Sequence, residues 1–520
     1  LYFPKFFHPD PTVKRKSGFL MPSIKSSNTS SNFLNTPYFF AVAENKDFTF
    51  SPRFYAEEKI LFQTEYRQKN LSSTHTSDFS FFTRKGKNSK NHFFYNYNNK
   101  FDFQRFSKNN IDLKIQKTSN DTYLKAEKIK SPLIDNTDFL ENSFSLDLYS
   151  NDLSIDTEFT IYEDLDKNKS DRYEYIFPKI DLVKNIDNKT NLKGDFSFRS
   201  KNLVRNFNTN VFEKSNINDL IFNSYPKITK NGFYNDYSFI IKNSNTDGQN
   251  STNYKENNNY YLSGLFQYNT SLPLIKEKEN YTNILKPKLS IKMAPSHTKD
   301  ISDQNIRIDV NNLYSLNRIS ENDIIEGGTS LIIGNEFSIF DKQNLKEIFN
   351  FKLANNLRFT ENNDLPTNNQ LGQKTSNFFG EIFYSPNQFI TTKYNTSIKN
   401  NFLDVSYENF ITDFRINNFV TTFDYLNENN TSEKNEYLSN TTKYIIDDSN
   451  SLSFSTRENK TSDLTEYYNL VYQYKNDCLS ASIEYNKEFY NDRDIKPDEN
   501  IFFKLTIIPF GEASTPNLKN

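Results

Sequence analysis

Apolar and polar residues alternate with a period of two along most of this chain. In 153–161, Leu153, Ile155, Phe159 and Ile161 alternate with Ser154, Asp156, Glu158 and Thr160. In 479–486, Leu479, Ala481, Ile483 and Tyr485 alternate with Ser480, Ser482, Glu484 and Asn486. Near the end, Ile501, Phe503, Leu505 and Ile507 share one face, with Lys504 and Thr506 on the other. Successive side chains of a strand point to opposite faces, so each stretch predicts a half-buried β-strand. Stripes at helical spacing are nearly absent. About 25 such segments follow one another, the first beginning near 18 and the last near 499.

The connectors are of two kinds. Asn151-Asp152 and Lys475-Asn476-Asp477 are tight turns, whereas 121–141, 205–232, 244–257, 295–323 and 360–375 read as long loops. The second of these, rich in Asn and Lys, is long enough to hide one more strand. Short turns on one rim and long loops on the other are the pattern of outer-membrane barrels. The prediction is all-β: a large transmembrane antiparallel β-barrel of about 26 strands. Parity supports it. With both termini on the periplasmic side, counting back from the last strand and forward from the first puts the turns at 150–152 and 475–477 on the same, periplasmic rim. A soluble all-β repeat or sandwich array also alternates, but calls for more turn glycine and a repeat period, and neither is visible.

Composition then narrows the class. The 520 residues carry a net charge of −2, and only 35% are hydrophobic. Mean hydropathy is −0.78, and no run of 18 or more apolar residues suggests a membrane helix. Yet 50 Phe and 32 Tyr make the chain 16% aromatic, which fits disorder poorly. A barrel reconciles the two, because only alternate residues meet lipid. The abundance of Asn, Lys, Ile, Phe and Tyr, with 12 Gly and no Trp, also looks like AT-rich coding. The near-neutral balance carries no polybasic nucleic-acid signature. Four scattered histidines and one cysteine, Cys478, show no metal-ligand spacing, so no metal and no cofactor is expected. The sequence begins at Leu1, which reads as a piece of a longer protein missing its N-terminus. A barrel of 26 strands, at about 4.8 Å spacing and about 40° tilt, is roughly 50 Å across. Side chains cannot fill that lumen, so it needs a plug, a partner or internal subdivision.

The first 52 residues hold the most specific motifs. Tyr2-Phe3-Pro4, His8-Pro9-Asp10-Pro11, Lys14-Arg15-Lys16-Ser17-Gly18-Phe19-Leu20, Pro22, Thr36-Pro37-Tyr38-Phe39 and Phe50-Ser51-Pro52 follow in order. They resemble the jelly-roll-to-barrel junction of the lipopolysaccharide-assembly outer-membrane family LptD, the organic solvent tolerance proteins. Asn312-Leu313 to Gly328, reading NLYSLNRISENDIIEGG, is similar to a second stretch of that family. It departs at Ser320-Glu321-Asn322 and at Ile324, where the family commonly has Arg. Asp477-Cys478 and the end from Phe502-Phe503 to Phe510-Gly511-Glu512 resemble the family as well.

The resemblance implies a 26-stranded barrel preceded by a periplasmic β-jelly roll. Residues 1–16 would be the remnant and junction of that jelly roll, 17–512 the barrel and 513–520 a tail. It implies passage of lipopolysaccharide from a periplasmic LptA-type bridge, reached through the missing N-terminal domain, to the outer leaflet of a Gram-negative cell outer membrane. It also implies an LptE-type lipoprotein plugging the lumen, energy supplied at the inner membrane, and no enzymatic activity.

Several residues would carry this mechanism. Pro4, Pro9, Pro11, Pro22, Pro37 and Pro52 are six of the 17 prolines. Proline cannot donate to a strand ladder. Pro37 and Pro52, with Pro22, therefore predict a weakened ladder beside the seam between first and last strands, which can part sideways as a lateral gate. The family's gate-flanking prolines match Pro37 and Pro52. The alternative is that strand-end prolines only discourage mispairing. Phe19, Phe39, Phe503 and Leu505 mark the seam strands. Cys478 follows a periplasmic turn in an oxidising compartment. In the family a cysteine at this place bonds to one in the N-terminal domain, and an unpaired thiol is the alternative. Lys14, Arg15 and Lys16 could meet lipid phosphates or form a solvated rim. Arg318 and Glu326 read as loop-ordering ion partners. Ser296-His297 with Asp300 is proximity in sequence and not a triad, and no clustered Ser/His/acid set is visible on the strands. The competing function is a large solute porin or receptor-type importer barrel. A surface β-protein of structural or adhesive type comes third, and it lacks repeats here.

Overall fold

Period-two segments close on themselves when each finds a partner on both sides and the last meets the first. In the computed structural model this happens with 26 antiparallel strands. The structure describes residues 16–20, 22–27, 32–56, 58–295, 299–319, 323–429, 434–476, 479–489 and 497–507.

The wall begins with β1 (Gly18–Phe19 and Ser23–Ser27), β2 (Phe33–Asn35 and Tyr38–Ala43), β3 (Lys46–Tyr55) and β4 (Lys59–Lys69). It continues with β5 (Ser73–Arg84), β6 (Lys90–Phe103), β7 (Phe106–Thr118), β8 (Phe139–Tyr149), β9 (Leu153–Asp164) and β10 (Tyr173–Ile186). Next come β11 (Gly194–Phe207), β12 (Val211–Ser224 and Lys227–Ile228), β13 (Tyr234–Gln249), β14 (Asn259–Ser271 and Leu274–Glu277) and β15 (Tyr281–Ala294). Then follow β16 (Gly328–Asp341), β17 (Lys346–Arg358), β18 (Thr375–Tyr384), β19 (Ile390–Ile398) and β20 (Val405–Ile416). The circuit ends with β21 (Phe419–Asn429), β22 (Lys434–Ile445), β23 (Asn450–Asn459), β24 (Leu464–Lys475), β25 (Leu479–Glu488) and β26 (Asp498–Ile507).

The first and last of the sequence-predicted segments, near 18 and near 499, fall at Gly18 and Asp498. The extra strand expected within 205–232 is β12, so that stretch is wall and not loop. Likewise 244–257 is loop only beyond Gln249, where β13 ends. The two kinds of connector segregate as predicted. The longest connector on one rim is 187–193, while 119–138, 295–327 and 359–374 all leave the other rim.

The outer face shows why alternation is needed. Phe144, Phe159 and Phe177 lie side by side across β8, β9 and β10, with ring centroids 6.5 and 6.0 Å apart, and all three are exposed. Lipid takes the place of a second layer there. Farther round, the outer row Phe196–Phe222–Phe239 gives way toward the long-loop rim to a ladder of asparagines. Asn245 donates to Asn216 at 2.9 Å and Asn218 donates to Asn216 at 2.8 Å. Such a switch from ring to amide marks where the wall leaves hydrocarbon, because an amide in lipid is costly unless satisfied.

The inner face is also covered in places. Loop 119–138, with the one-turn helix α1 (Tyr123–Ala126), puts Tyr123, Leu124 and Ile129 against Leu61, Phe82, Phe94 and Leu140. Loops 295–327 and 359–374 put Leu313, Ile319, Ile324, Leu365 and Leu371 against Ile332, Ala354 and Phe379. On β16 and β17 the neighbouring Ile333 and Leu353 are exposed on the outside, so these clusters lie in the lumen. The large lumen is subdivided by its own outer loops.

Candidate functional site at the seam between first and last strands

β1 closes the barrel against β26 through the pairs Ser23↔Lys504 to Ser27↔Asn500. The next ladder, β25 with β26, runs twice as far, from Leu479↔Ile507 to Glu488↔Asp498. On its other side β1 is broken too. Its first piece meets β2 at Gly18↔Phe39 and Phe19↔Tyr38, its second from Ser23↔Asn35 to Lys25↔Phe33. β2 is interrupted at the same level, between Asn35 and Tyr38.

The prolines account for these breaks. Leu20 N–H donates to the Pro37 carbonyl at 2.8 Å, and Thr36 N–H donates to the Pro52 carbonyl at 3.1 Å. In an antiparallel ladder a residue's carbonyl and amide point to the same neighbour. The donor that Pro37 lacks therefore belongs to the β1–β2 ladder, and the one Pro52 lacks to the β2–β3 ladder. Pro22, exposed, directly precedes the paired Ser23. Three prolines on three successive strands thus share one level of the wall. Each missing bond is worth about 0.5–1.5 kcal/mol net.

The seam has an apolar outer lip. Phe19 is 80% exposed, Ile24 55% and Phe503 41%, and Ile24 sits directly opposite Phe503. Phe19 also meets Tyr38 edge-on at 4.9 Å. Phe39 alternates with Tyr38 and Phe40 and falls on the inner side, half-buried. Leu505 pairs with Ala481 of β25. Lys16 is exposed beside β1. Lys14, Arg15, Cys478, Ser296 and His297 lie outside the described residues. Asp300 accepts from the backbone and hydroxyl of Ser302 at 3.0 and 2.7 Å, an ordinary turn arrangement.

The inner side of the seam is charged. Lys25 Nζ lies 3.3 Å from Asp498, both side chains being buried. Lys128, from loop 119–138, reaches across to Glu488 at 3.1 Å and Asp498 at 3.2 Å. Lys130 stands over the Phe502 ring at 5.7 Å. The same loop is rooted on the opposite flank. Arg53 donates to the Glu127 carbonyl at 2.8 Å, Tyr55 to the Glu127 carboxylate at 3.0 Å, and Gln63 to the Lys130 carbonyl at 2.7 Å. Burial pushes the Glu127 carboxyl above the usual carboxylate range, against the Tyr55 hydrogen bond and neighbouring Lys90, Arg53 and Lys59.

Arg318 and Glu326 do order a loop, and more is built on them than the sequence suggested. Arg318 is fully buried and chelates Glu326 through Nε at 2.6 Å and Nη2 at 2.5 Å. Arg358 of β17 adds a bond to the same carboxylate at 2.7 Å, and Lys292 donates to the Leu316 carbonyl at 3.1 Å. Gly328 has φ +91°, and a Cβ there would lie 2.7 Å from Arg358 Nη2, so the glycine ending this motif is required. Ile324, where the motif departs, is buried against the loop's own core.

One expectation needs correcting. A Ser/His/acid set does exist on the strands: Ser80 contacts His92 Nδ1, and His92 Nε2 lies 3.2 Å from Asp78. All three are fully buried, and the Ser80 hydroxyl is shared with the Tyr123 hydroxyl at 2.7 Å. Period-two alternation brings 78, 80 and 92 to one inner face, while sequence spacing hides the meeting. Capped by Tyr123, the serine meets no substrate, and the set anchors the loop.

A family model described as LPS transport system D matches residues 90–458. The LPS-assembly protein LptD of Pseudomonas entomophila is 40% identical over 73 residues, which are 14% of this chain and 8% of that protein. That of Nitrosococcus oceani is 40% identical over 60 residues, 12% of this chain and 8% of the relative. The matched stretches thus span less than a tenth of either relative. Among solved structures, the alcaligin receptor FauA of Bordetella pertussis covers 95% of this chain and 76% of its own at 7% identity, with a TM-score of 0.31. The siderophore receptor PirA of Pseudomonas aeruginosa covers 95% and 80% at 9% identity, with a TM-score of 0.28.

Proposed function

The chain belongs to the LPS transport system D family, and we propose that its barrel releases lipopolysaccharide into the outer leaflet through the seam between β1 and β26. It is a multi-pass β-barrel of the Gram-negative outer membrane, in a family of transport and assembly and not of catalysis. The observation that carries the proposal is the short closing ladder from Ser23↔Lys504 to Ser27↔Asn500, flanked by strands that Pro22, Pro37 and Pro52 deprive of donors. A lipid must leave a barrel sideways, and the wall parts first where fewest backbone bonds hold it. The apolar lip of Phe19, Ile24 and Phe503 suits acyl chains outside, and the charged inner side suits a phosphorylated sugar headgroup.

The partners follow from the same reading. A lipoprotein of the LptE type occupies the lumen, which at roughly 50 Å across is too wide for side chains alone. An LptA-type bridge delivers lipid through an N-terminal domain outside this chain, of which residues 1–16 are the junction. Residues 17–512 are the barrel and 513–520 its tail. Cys478 pairs with a cysteine of that domain. Lys14, Arg15 and Lys16 line the entry rim.

A photo-crosslinking residue at Phe39 in the full-length protein in cells tests the proposal. An adduct with lipopolysaccharide that disappears when the inner-membrane energy source is blocked is the expected result. Absence of lipid there and at other inner-wall positions sinks it, and a solute porin then becomes the better reading.

A further inference from the structure

Loop 119–138 spans the weak part of the wall from behind. Its middle, at Glu127 and Lys130, is gripped by β3 and β4 through Arg53, Tyr55 and Gln63. Between those two anchors the Lys128 side chain reaches β25 and β26. The strands it passes over are β1 and β2. Opening the seam between β1 and β26 would separate Lys25 from Asp498 and pull Asp498 and Glu488 away from Lys128. Backbone pairs are therefore not the only closure.

The contacts to β25 and β26 are of a kind an anion can replace. They are simple lysine–carboxylate pairs, not the planar bidentate pairs that arginine makes. Lys25, Arg53, Lys128, Lys130 and Lys504 stand close enough to influence one another, facing Asp498, Glu488, Glu484 and Glu127. Partial desolvation pushes Lys130, in the loop, below the usual lysine range; Glu484 presses against this, and Lys504, Arg53 and Lys128 press with it. Glu127 is pushed toward its neutral form. Five cations thus face four carboxylates on the luminal side of the seam, with Lys25 and Asp498 buried and Lys128 partly open to the lumen.

We infer that loop 119–138 is a clasp over the seam, and that Lys25, Lys128 and Lys130 form a phosphate site whose occupation frees Asp498 and Glu488 and lets the seam part. The inference rests on the export reading above and adds how the exit is triggered. A ligand shifts a closed–open equilibrium only if it favours one state. A lipid phosphate does so here, because Lys25 and Lys128 are taken up by Asp498 and Glu488 when the seam is closed.

The test uses the full-length protein, purified with its partners, carrying the pair Ile24→Cys and Phe503→Cys. These positions face each other on the outer side of the seam, away from the clasp. The fraction oxidised in a fixed time reads closure. Added lipopolysaccharide should lower it several-fold, and the same lipid stripped of its phosphates should not. Inorganic phosphate acting as well as the lipid supports the site and assigns recognition to the phosphate alone; inactive inorganic phosphate with active lipid supports a lipid-borne phosphate. Lys128→Glu should lower closure several-fold without lipid and abolish the response, while Lys128→Arg should preserve both. If Lys128→Glu does not assemble, Glu488→Gln, which removes one of the two carboxylates, should lower closure less. Closure indifferent to Lys128 and Glu488, or equal action of dephosphorylated lipid, overturns the inference. If closure depends on Lys128 yet Phe39 yields no lipid adduct in cells, the export reading fails and the clasp does not.

Discussion

Two carboxylates in the luminal loops, Glu127 half-buried and Glu326 buried, should answer acid in opposite ways. Glu127 is held above the usual range by burial, so its docked form prefers the proton. Its contribution to docking is full below the ordinary carboxylate pKa and is lost as pH rises through the raised value. Burial would raise Glu326 too, but Arg318, Lys292 and Arg358 outweigh it and hold the carboxyl at about 2. Its contribution is present above the ordinary value and is lost only as pH falls through about 2. Amide exchange at pH 4 to 7 should therefore find residues 123–129 better protected at the acid end and residues 313–319 unchanged. Glu127→Gln should remove the first dependence and slow exchange at neutral pH. Glu326→Gln leaves Arg318, Arg358 and Lys292 facing one another, and should lower stability by about 3–5 kcal/mol, read as a lower urea midpoint and as proteolysis within 295–327. At this scale the sequence spoke unevenly. Arg318 and Glu326 lie eight positions apart inside a recognisable motif, and their pairing could be read. Lys128 and Asp498 are 370 positions apart, and no local pattern joins them. The available hint was weaker: Tyr123, Leu124, Ile129, Leu133 and Ile134 are apolar residues in an outer connector, which has no use for them unless it folds inward.

Strands were legible because the two faces of the wall meet different surroundings. Where both faces became apolar, the signal failed. β12 is the case: Leu220-Ile221-Phe222 is a continuous apolar run, since Leu220 and Phe222 face outward while Ile221 packs inward with Ile240, Leu265 and the loop residue Ile325. The asparagines, which looked like coding bias, also have structural use in the ladder of Asn216, Asn218 and Asn245 above the apolar band. The prolines were legible as ladder breakers, and their common level across β1, β2 and β3 became visible only once register was fixed. That level makes a prediction about the element. Pro37→Ala and Pro52→Ala each return a donor to a different ladder, and each should stabilise the closed wall by about 0.5–1.5 kcal/mol. As neighbours, their effects need not add. The expected outcome is a higher temperature for loss of the folded band on unheated gels and slower appearance of lipopolysaccharide at the cell surface. Faster delivery from either variant would mean that the prolines limit mispairing and do not ease opening.

A closed ladder of 26 strands and the loops packed inside it are held by different forces, and this separates what each contributes. The wall satisfies its backbone groups strand to strand, as any lipid-exposed segment must. The loops are held by luminal side-chain clusters and by ion pairs that the wall itself does not need. Among the described residues these loops are what narrows the lumen, packed on the inner wall around Phe94 and Phe379. Replacing 120–136 by a short Gly/Ser connector should therefore leave the barrel folded and heat-resistant, because the ladders from β5 to β9 remain. It should also remove Tyr123 and Leu124 from the inner wall, expose the buried Ser80–His92–Asp78 set, and take away Lys128 behind the seam. Single-channel conductance of the purified full-length protein in planar bilayers should rise, and cells carrying it should admit antibiotics too large for ordinary porins. The companion change, removal of 361–372, uncovers a different part of the wall around Phe379 and leaves the seam clasp in place. It should raise conductance without altering closure of the Ile24–Phe503 pair. If both deletions change conductance but neither alters that closure, the luminal loops are a filling and the seam is held by its backbone pairs alone. If only the first alters closure, lumen and exit are coupled through one loop, and a barrel this wide can open sideways without opening through.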